Sequence, residues 1–503
     1  MPATSAFLEA DASPYAGTSL ETRASPEIGT SLETSASLEI SASSEVGVTY
    51  VRYNVPISPA PNSAPHPNRF KVQINRLELA KLLVRELIHH RGDLDTVFSR
   101  PCVYGVFSAP VGAFWAYEEH CVGCLRCTVQ HPTVVNILSN PERLELGDSY
   151  INPDMVETLL YEAASGRVPV RGAGYGGGFG GIGWDGMWTD MSEIVRPTRD
   201  GIHGREFIST SVQFGWKPLM LEFDESGDLQ NSSSSLIELP IPVLFDRLPV
   251  GESGAYAATA AAANSLETLA IVPIEHLTQN LSQSHTMVPL VEAHEIGRLH
   301  DHGRSFRMIE LMGWDPAAYA QLSTDFPDAI VTIRLPADAD LREPLEAGVV
   351  AFHLAADYHG QTATGFIMQA IRAAHENLIA RGIREQITLI GSGGIAAAEH
   401  VPKAIIAGLD AVAIETAALI ALQAQFQGEV REMGAGQIKL PSADPEWARQ
   451  RLVNLLGSWR DQLLEILGAM GLREVRRLRG EIGRAMFQSE LEREAFSEID
   501  GYE

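Results

Sequence analysis

Four cysteines form the clearest chemical pattern in this chain. They are the only cysteines among 503 residues, and all of them fall between positions 102 and 127. Three form the run Cys121-x2-Cys124-x2-Cys127, in which gaps of two residues let consecutive thiolates reach adjacent irons of a cluster. Secreted proteins spread their cysteines to form disulfides, so one tight group favours a metal centre in a reducing cytoplasm. The spacing predicts an iron–sulfur site.

The fourth ligand of this site must come from outside the run. Bacterial ferredoxins continue with Cys-Pro three residues later, where this chain has His131 and Pro132. Cys102 is the remaining thiol, and we expect it to complete a 4Fe–4S cluster. A 3Fe–4S cluster and ligation by His131 stay open as alternatives. A structural zinc site on the same cysteines is less favoured, because zinc sites usually show paired Cys-x2-Cys arms.

A glycine-rich turn, Gly391-Ser-Gly-Gly-Ile395, follows an apolar run and precedes a helical stretch that contains His400 and Lys403. Glycines allow backbone N–H groups to approach an anion, and the start of a helix adds positive partial charge. The turn predicts a phosphate site, although a plain strand-to-helix turn has the same composition.

Eight short apolar runs alternate with helical or polar stretches, which predicts a parallel sheet covered by helices. Within about 185 residues a closed (β/α)8 TIM barrel of the α/β class fits better than an open sheet, because eight units leave no edge strand. The predicted strands are Leu239–Phe245, Thr268–Val272, Met287–Val291, Arg307–Leu311, Ala329–Leu335, Gly348–Ala355, Gln386–Ile390 and Ala411–Ile414.

Polar residues at the carboxyl ends of barrel strands are the expected catalytic candidates. Arg334 stands out, because a fixed cation in a barrel mouth stabilises an anionic reduced flavin or a substrate carboxylate. The full set is Asp246, Arg247, Arg334, Asp357, His359, Ser392, Glu415 and Thr416.

Four regions are expected along the chain. Residues 1–48 carry a near-exact twelve-residue repeat rich in Ser, Thr, Ala and Glu, which predicts a disordered acidic tail. Residues 49–235 form an irregular region with the cysteines, a helix over Leu77–His90 and a glycine-rich loop at 172–183 that covers the barrel or the cluster. The barrel spans 236–435. Residues 436–503 form a helical extension, with one helix after Asp444-Pro445 and a second over Leu472–Arg484.

The charge balance bears on the partners of the chain. Lysine and arginine number 38 against 64 aspartates and glutamates, a formal net charge of −26. A field of that sign repels nucleic acid and anionic membranes. No apolar run is long enough to cross a bilayer and no export signal opens the chain, so we expect a cytoplasmic protein.

Three segments together resemble the FMN-binding synthase domain of glutamate synthase, in its stand-alone, archaeal-type form. They are the cysteine run 121–127, the polar run Glu193–Glu206 within Met187–Thr210, and Gly391–His400. The resemblance covers roughly residues 95–485. It implies a barrel that holds FMN, receives electrons through an iron–sulfur centre and forms L-glutamate from 2-oxoglutarate and ammonia.

The resemblance also implies roles for individual residues. Ser392, Gly393 and Gly394 would hold the FMN phosphate with the loop at Glu415-Thr416, and Arg334 takes the place of the family's flavin-side lysine. Asp357-Tyr-His359-Gly takes the place of a substrate loop. Expected partners are a 2-oxo acid, an electron donor such as ferredoxin, a separate glutamine amidotransferase subunit and further copies of the chain.

Two departures from the family pattern define the alternatives. The Thr-Gly-Glu-Gly-Gly motif after the second strand is replaced by Val272-Pro-Ile-Glu275, and Gly-Thr after the eighth strand reads Glu415-Thr416. A related N-substituted glutamate synthase is one alternative. The other is a flavin-less relative that serves in electron transfer or assembly.

Overall fold

The computed structural model describes most of the chain from Tyr53 to Ile499. The described residues are 53–64, 66–93, 102–107, 115–169, 180–189, 208–218, 220, 222–227, 230, 236–277, 285–302 and 306–499. The predicted tail 1–48, most of the glycine-rich loop 172–183 and the run 193–206 lie outside them.

The residues before the barrel form short elements. The first helix begins where the Asn75 side chain accepts the Glu78 N–H, and it covers the predicted span within one residue at each end. The strands β1 and β2 pair antiparallel. The elements are β1 (Phe70–Ile74), α1 (Arg76–His89), α2 (Arg126–Gln130), β2 (Val135–Ser139), α3 (Pro153–Ser165), β3 (Met187–Thr189), β4 (Val212–Phe214) and β5 (Ile237–Leu239).

Eight parallel strands close into a barrel, which confirms the predicted (β/α)8 fold. The barrel order is β6-β7-β8-β9-β10-β11-β14-β15, and β12 and β13 form a hairpin outside it. The strands are β6 (Val243–Phe245), β7 (Ala270–Pro273), β8 (Met287–Val291), β9 (Met308–Met312), β10 (Ile330–Pro336), β11 (Ala351–Ala355), β12 (Gln361–Thr362), β13 (Gly365–Phe366), β14 (Thr388–Ser392) and β15 (Ala411–Ile414).

Helices connect the strands on the outside of the barrel. They are α4 (Ser253–Leu266), α5 (Ile296–Asp301), α6 (Pro316–Asp325), α7 (Arg342–Glu346), α8 (Ile367–Ala380), α9 (His400–Ala407) and α10 (Thr416–Ala421). The predicted first strand, 239–245, is divided between β5 and β6. Pro240 and Pro242 lack the N–H that a continuous ladder needs, so the pairing changes partners there.

The chain ends in a hairpin, a long helix and a short strand and helix. They are β16 (Gln425–Gln427), β17 (Gln437–Lys439), α11 (Pro445–Ala469), β18 (Ala485–Phe487) and α12 (Gln488–Phe496). As predicted, Asp444 caps α11, its carboxylate accepting the Trp447 N–H. The predicted helix over Leu472–Arg484 is wrong: the segment forms two short 3₁₀ turns, Val475–Leu478 and Ile482–Arg484. Gly480 between them has φ +74°, which a helix does not allow.

The helix α11 also holds the segment before β1. The Asn454 side chain accepts the Ser58 N–H at 3.2 Å and donates to the Ser58 carbonyl at 2.7 Å. Arg451 is fully buried and donates to the Ala60 carbonyl at 2.8 Å. The first described residues are therefore fixed by the last long helix.

None of the helices in these described ranges combines the length and apolar character that crossing a membrane requires.

Candidate functional site

The four cysteines come together although Cys102 lies on a separate loop. Burial raises the pKa of the Cys121 thiol, and the neighbouring thiols of Cys127, Cys102 and Cys124 raise it further. Cys102, Cys121 and Cys127 pack against a small apolar cluster, whereas Cys124 is exposed. Three of the four predicted ligands therefore lie against the same apolar cluster.

The turn between these cysteines is shaped by two left-handed residues. Gly123 has φ +67° and Leu125 has φ +56°. A Cβ at Gly123 would lie 2.2 Å from the Phe70 ring, so only glycine fits there. His131, the alternative ligand, donates its backbone N–H to the Cys127 carbonyl at the end of α2. Thiolates on such a turn are typical ligands of iron–sulfur clusters.

A second group of charged residues lies inside the barrel, between the middle and the carboxyl ends of its strands. Arg334 at the end of β10 donates to both carboxylate oxygens of Asp246, at 2.7 and 2.9 Å, and to Glu310 at 3.0 Å. His353 Nδ1 lies 3.0 Å from the second oxygen of Glu310, and Ser392 Oγ lies 3.4 Å from Arg334 Nη2. The guanidinium of Arg334, predicted as a fixed cation, therefore lies between the buried carboxyl groups of Asp246 and Glu310.

These contacts fix the charge states of the group. Burial acts to raise the pKa of Asp246, but Arg334 and His353 hold it well below its ordinary value. Burial acts to lower the pKa of Arg334, yet Asp246 and Glu310 raise it. Asp246 and Arg334 are therefore both charged at neutral pH.

Glu415, the departure after the eighth strand, is fully buried beside this group. Burial raises its pKa well above the ordinary value, and the nearby Asp246 carboxylate raises it further. Glu415 is therefore protonated over a wide pH range. A neutral carboxylic acid donates a hydrogen bond to an anion instead of repelling it.

Several buried polar side-chain atoms around the barrel mouth have no hydrogen-bond partner among the described residues. Each such atom costs about 1–3 kcal/mol, so a polar ligand that both donates and accepts would stabilise the site. The atoms are Thr332 Oγ1, His353 Nε2, both carboxyl oxygens of Glu415 and Thr416 Oγ1. They belong to strands β10 and β11, to Glu415 directly after β15, and to the start of α10.

The predicted phosphate turn is buried and packs against the loop after β11. Gly393 and Gly394 have φ +119° and +70°, and a Cβ would lie 2.7 Å from the Asp357 carbonyl oxygen or 2.8 Å from Tyr150 Oη. Tyr150 donates to the Gly394 carbonyl at 2.8 Å. The helix α9 follows the turn, and its residue Lys403 is buried against the Trp184 carbonyl.

The two candidates of the substrate loop have different surroundings. Asp357 accepts the backbone N–H groups of His359 and Gln361, so its carboxylate organises the loop. His359 Nε2 lies 2.8 Å from Asp148 Oδ2, and the imidazole stacks on the Tyr150 ring. A histidine with one nitrogen on a carboxylate can hold a proton in a fixed orientation.

The sequence reasoning missed Glu310, His353, Asp148 and Tyr150. Glu310 and His353 each stand in the middle of an otherwise apolar strand. A charged residue there needs a buried partner, and this signal was available in the sequence. Asp148 and Tyr150 precede the barrel, and only the fold brings them to its mouth.

Replacing Glu415 with glutamine is expected to stabilise the protein increasingly as pH rises. Below the unfolded pKa of glutamate, near 4.3, Glu415 is protonated in both states and costs nothing. Above that pH Glu415 is ionised in the unfolded state but not in the folded state. The free energy of unfolding of the wild type therefore falls by about 1.4 kcal/mol per pH unit, until the pH reaches the pKa of Glu415 in the folded state. Urea unfolding of both proteins at pH 5 and pH 8 measures the difference. An equal difference at the two pH values would contradict the buried neutral acid, and Glu399→Gln, at an exposed position, is the control.

Comparisons with known proteins agree with this architecture. The family model of the conserved region in glutamate synthase matches residues 355–473. The archaeal-type glutamate synthase (NADPH) of Dehalococcoides mccartyi is 25% identical over 434 residues, which cover 72% of this chain and 86% of that protein. The archaeal glutamate synthase (NADPH) of Methanocaldococcus jannaschii is 36% identical over 125 residues, 24% of each chain.

Among solved structures, an IMP dehydrogenase/GMP reductase-like protein from Corynebacterium glutamicum aligns with a TM-score of 0.39 at 10% identity, covering 61% of this chain and 94% of that one. A likeness at that level carries no inference about function.

Proposed function

Because the chain belongs to the glutamate synthase family, we propose that it is an oxidoreductase that reductively aminates 2-oxoglutarate to L-glutamate with FMN and an iron–sulfur cluster. The observation that carries the proposal is the set of buried polar atoms without partners at the barrel mouth. The packing of Cys102, Cys121 and Cys127 against one apolar cluster supports the electron-transfer part.

The residues at the mouth fit FMN. The turn at Ser392, Gly393 and Gly394 and the hydroxyl of Thr416 would hold its phosphate, with protonated Glu415 as a further donor. When bound, FMN supplies a hydride to the imine of 2-oxoglutarate and ammonia. The overall reaction consumes two electrons and two protons and releases one water.

The chain's own residues prepare the mouth for this chemistry. Arg334 is held by Asp246 and Glu310, so it presents a guanidinium in a fixed position. The Asp148 carboxylate, 2.8 Å from His359 Nε2, fixes the orientation of the buried imidazole. Both act as pre-positioned groups that need no rearrangement when substrate arrives.

The cysteine site would receive electrons from outside. Cys102, Cys121, Cys124 and Cys127 would ligate a 4Fe–4S cluster, and exposed Cys124 lies on the side open to a donor. NADPH, which the names of the relatives include, and a reduced ferredoxin are the two donors to test. Ammonia would come from solution or from a separate amidotransferase subunit, and an assembly of several copies stays part of the proposal.

Anaerobically purified protein is expected to contain about one FMN and about four irons per chain. Heat-released flavin, an iron count and the absorption spectrum of the same sample measure this. With a reduced donor, 2-oxoglutarate and ammonia, the sample should form L-glutamate, detected by chromatography.

Two results would contradict the proposal in different ways. Iron without flavin would select the flavin-less electron-transfer subunit, because Arg334 would then only balance the buried acids. Flavin and iron with product from an organic amine, but none from ammonia, would select the N-substituted glutamate synthase.

A further inference from the structure

A cavity of about 450 Å³ lies at the opposite end of the barrel from the mouth. Its wall includes Arg384, four residues before the start of β14, and residues of the segment 472–484. Residues before a barrel strand lie at the amino-terminal end of the barrel, whereas catalytic groups gather at the carboxyl ends. The cavity is therefore separate from the proposed active site.

Five arginines line this cavity in a chain whose net charge is −26. They are Arg384, Arg476, Arg477, Arg479 and Arg484. The carboxylates in the wall are Glu385 and Glu481, and Asp410 lies buried behind Arg384 and Arg479. Cations therefore outnumber anions around the cavity.

The arginines differ in how firmly they are held. Arg384 donates to Asp410 and to the carbonyl oxygens of Ile387 and Gly408, and Arg479 bridges Asp410 and Glu385. Arg476 is exposed and makes a 3.2 Å contact with Glu474, and Arg477 forms no ion pair with any described residue. Both side chains are exposed, so a ligand can reach them, although Arg476 also contacts Gln213 at 3.5 Å.

The pKa values of two basic side chains beside the cavity reflect the charges around them. Burial, followed by Arg384 and Arg479, lowers the pKa of His375 to about 4. Burial likewise lowers the pKa of Lys217, while Asp410 acts to raise it and Arg479 and Arg476 act to lower it. His375 is neutral at pH 7, so its Nδ1 accepts the Arg384 Nε–H, at 3.0 Å. Its other nitrogen faces Gly480 on the cavity wall, where a Cβ would come within 2.2 Å.

We propose that this cavity binds a phosphorylated small molecule of about nucleotide size. A guanidinium group can donate two parallel hydrogen bonds to two oxygens of a phosphate. Arg476 and Arg477 offer two such groups. The volume falls within the range of small-molecule pockets, about 300–1,000 Å³, and exceeds what a lone phosphate fills. Ile379 and Leu472 in the wall give the organic part an apolar surface.

Isothermal titration calorimetry of the full chain with ADP, pyrophosphate and adenosine tests this proposal. ADP and pyrophosphate are expected to bind with a Kd below about 1 mM, and adenosine is expected not to bind. Arg476→Ala and Arg477→Ala should each weaken ADP binding about tenfold, the loss of one charged hydrogen-bond pair. Arg298→Ala, on an exposed arginine of α5, is the matched control and should bind like the wild type.

Glu481→Gln gives a readout that damage to the fold would not reproduce. It removes a carboxylate from the cavity wall and should tighten ADP binding several-fold. The absence of ADP binding up to about 10 mM would overturn the proposal. So would equal affinities for the wild type, Arg476→Ala and Arg477→Ala.

Discussion

Replacing Arg334 with methionine is expected to lower the free energy of unfolding by about 3–5 kcal/mol. The substitution leaves Asp246 and Glu310 inside the barrel without the cation that both contact. It also removes the opposite charge that holds the pKa of Asp246 down, so this carboxyl becomes costly to ionise. Urea unfolding at pH 7, followed by circular dichroism, measures the loss.

Two further variants distinguish the loss of the positive charge of Arg334 from the loss of its side-chain packing. Arg334→Lys keeps the cation but cannot bond both oxygens of Asp246, so its loss should be smaller. Adding Asp246→Asn to Arg334→Met removes one unpaired acid and should recover part of the stability. Arg342→Met, at an exposed pair with Asp340, should change little. An unchanged urea midpoint for Arg334→Met would contradict the buried-cation interpretation.

Replacing Cys124 with serine is expected to reduce the iron content from about four per chain to near zero and to abolish donor-dependent glutamate formation. Cys124 is the exposed member of the four, so its loss removes a ligand without opening the apolar cluster behind the others. Iron analysis and the visible absorption spectrum of anaerobically purified protein measure the effect.

The remaining ligands are distinguished by parallel variants. Cys102→Ser should also lose iron, or fall to about three irons, whereas His131→Ala should keep all of it. Val129→Ala, at an exposed position of α2, controls for damage to the turn. Full iron in Cys124→Ser would contradict the cluster, and zinc in place of iron in the wild type would select the structural zinc site.

The barrel was predictable because its strands are short and almost wholly apolar. Each of the eight runs contains one barrel strand, although the first also reaches into β5, since parallel strands covered by helices bury both faces. The segment Leu472–Arg484 was not predictable in the same way. Its leucines and arginines have helical spacing, but Gly480 packs against His375, a contact that only the fold creates.

The candidate site was predictable only in part, for a related reason. The residues at strand ends, such as Arg334 and Ser392, follow from where strands stop. Their partners come from positions far away in the sequence: Asp246 lies 88 residues before Arg334, and Asp148 lies 211 residues before His359. Sequence spacing carries no information about such pairs.

The hydrogen bonds between α11 and the segment around Ser58 affect the order in which parts of the chain can pack together during synthesis. Ser58 and Asn454 are separated by 396 residues, so the first described part of the chain waits for its partner while nearly everything else is translated. At ribosomal speeds that interval is roughly 20–80 s. The four cysteines and all eight strands emerge within it, and a chain stopped before Pro445 would contain them all while Ser58 lacked Asn454 and the Ala60 carbonyl lacked Arg451.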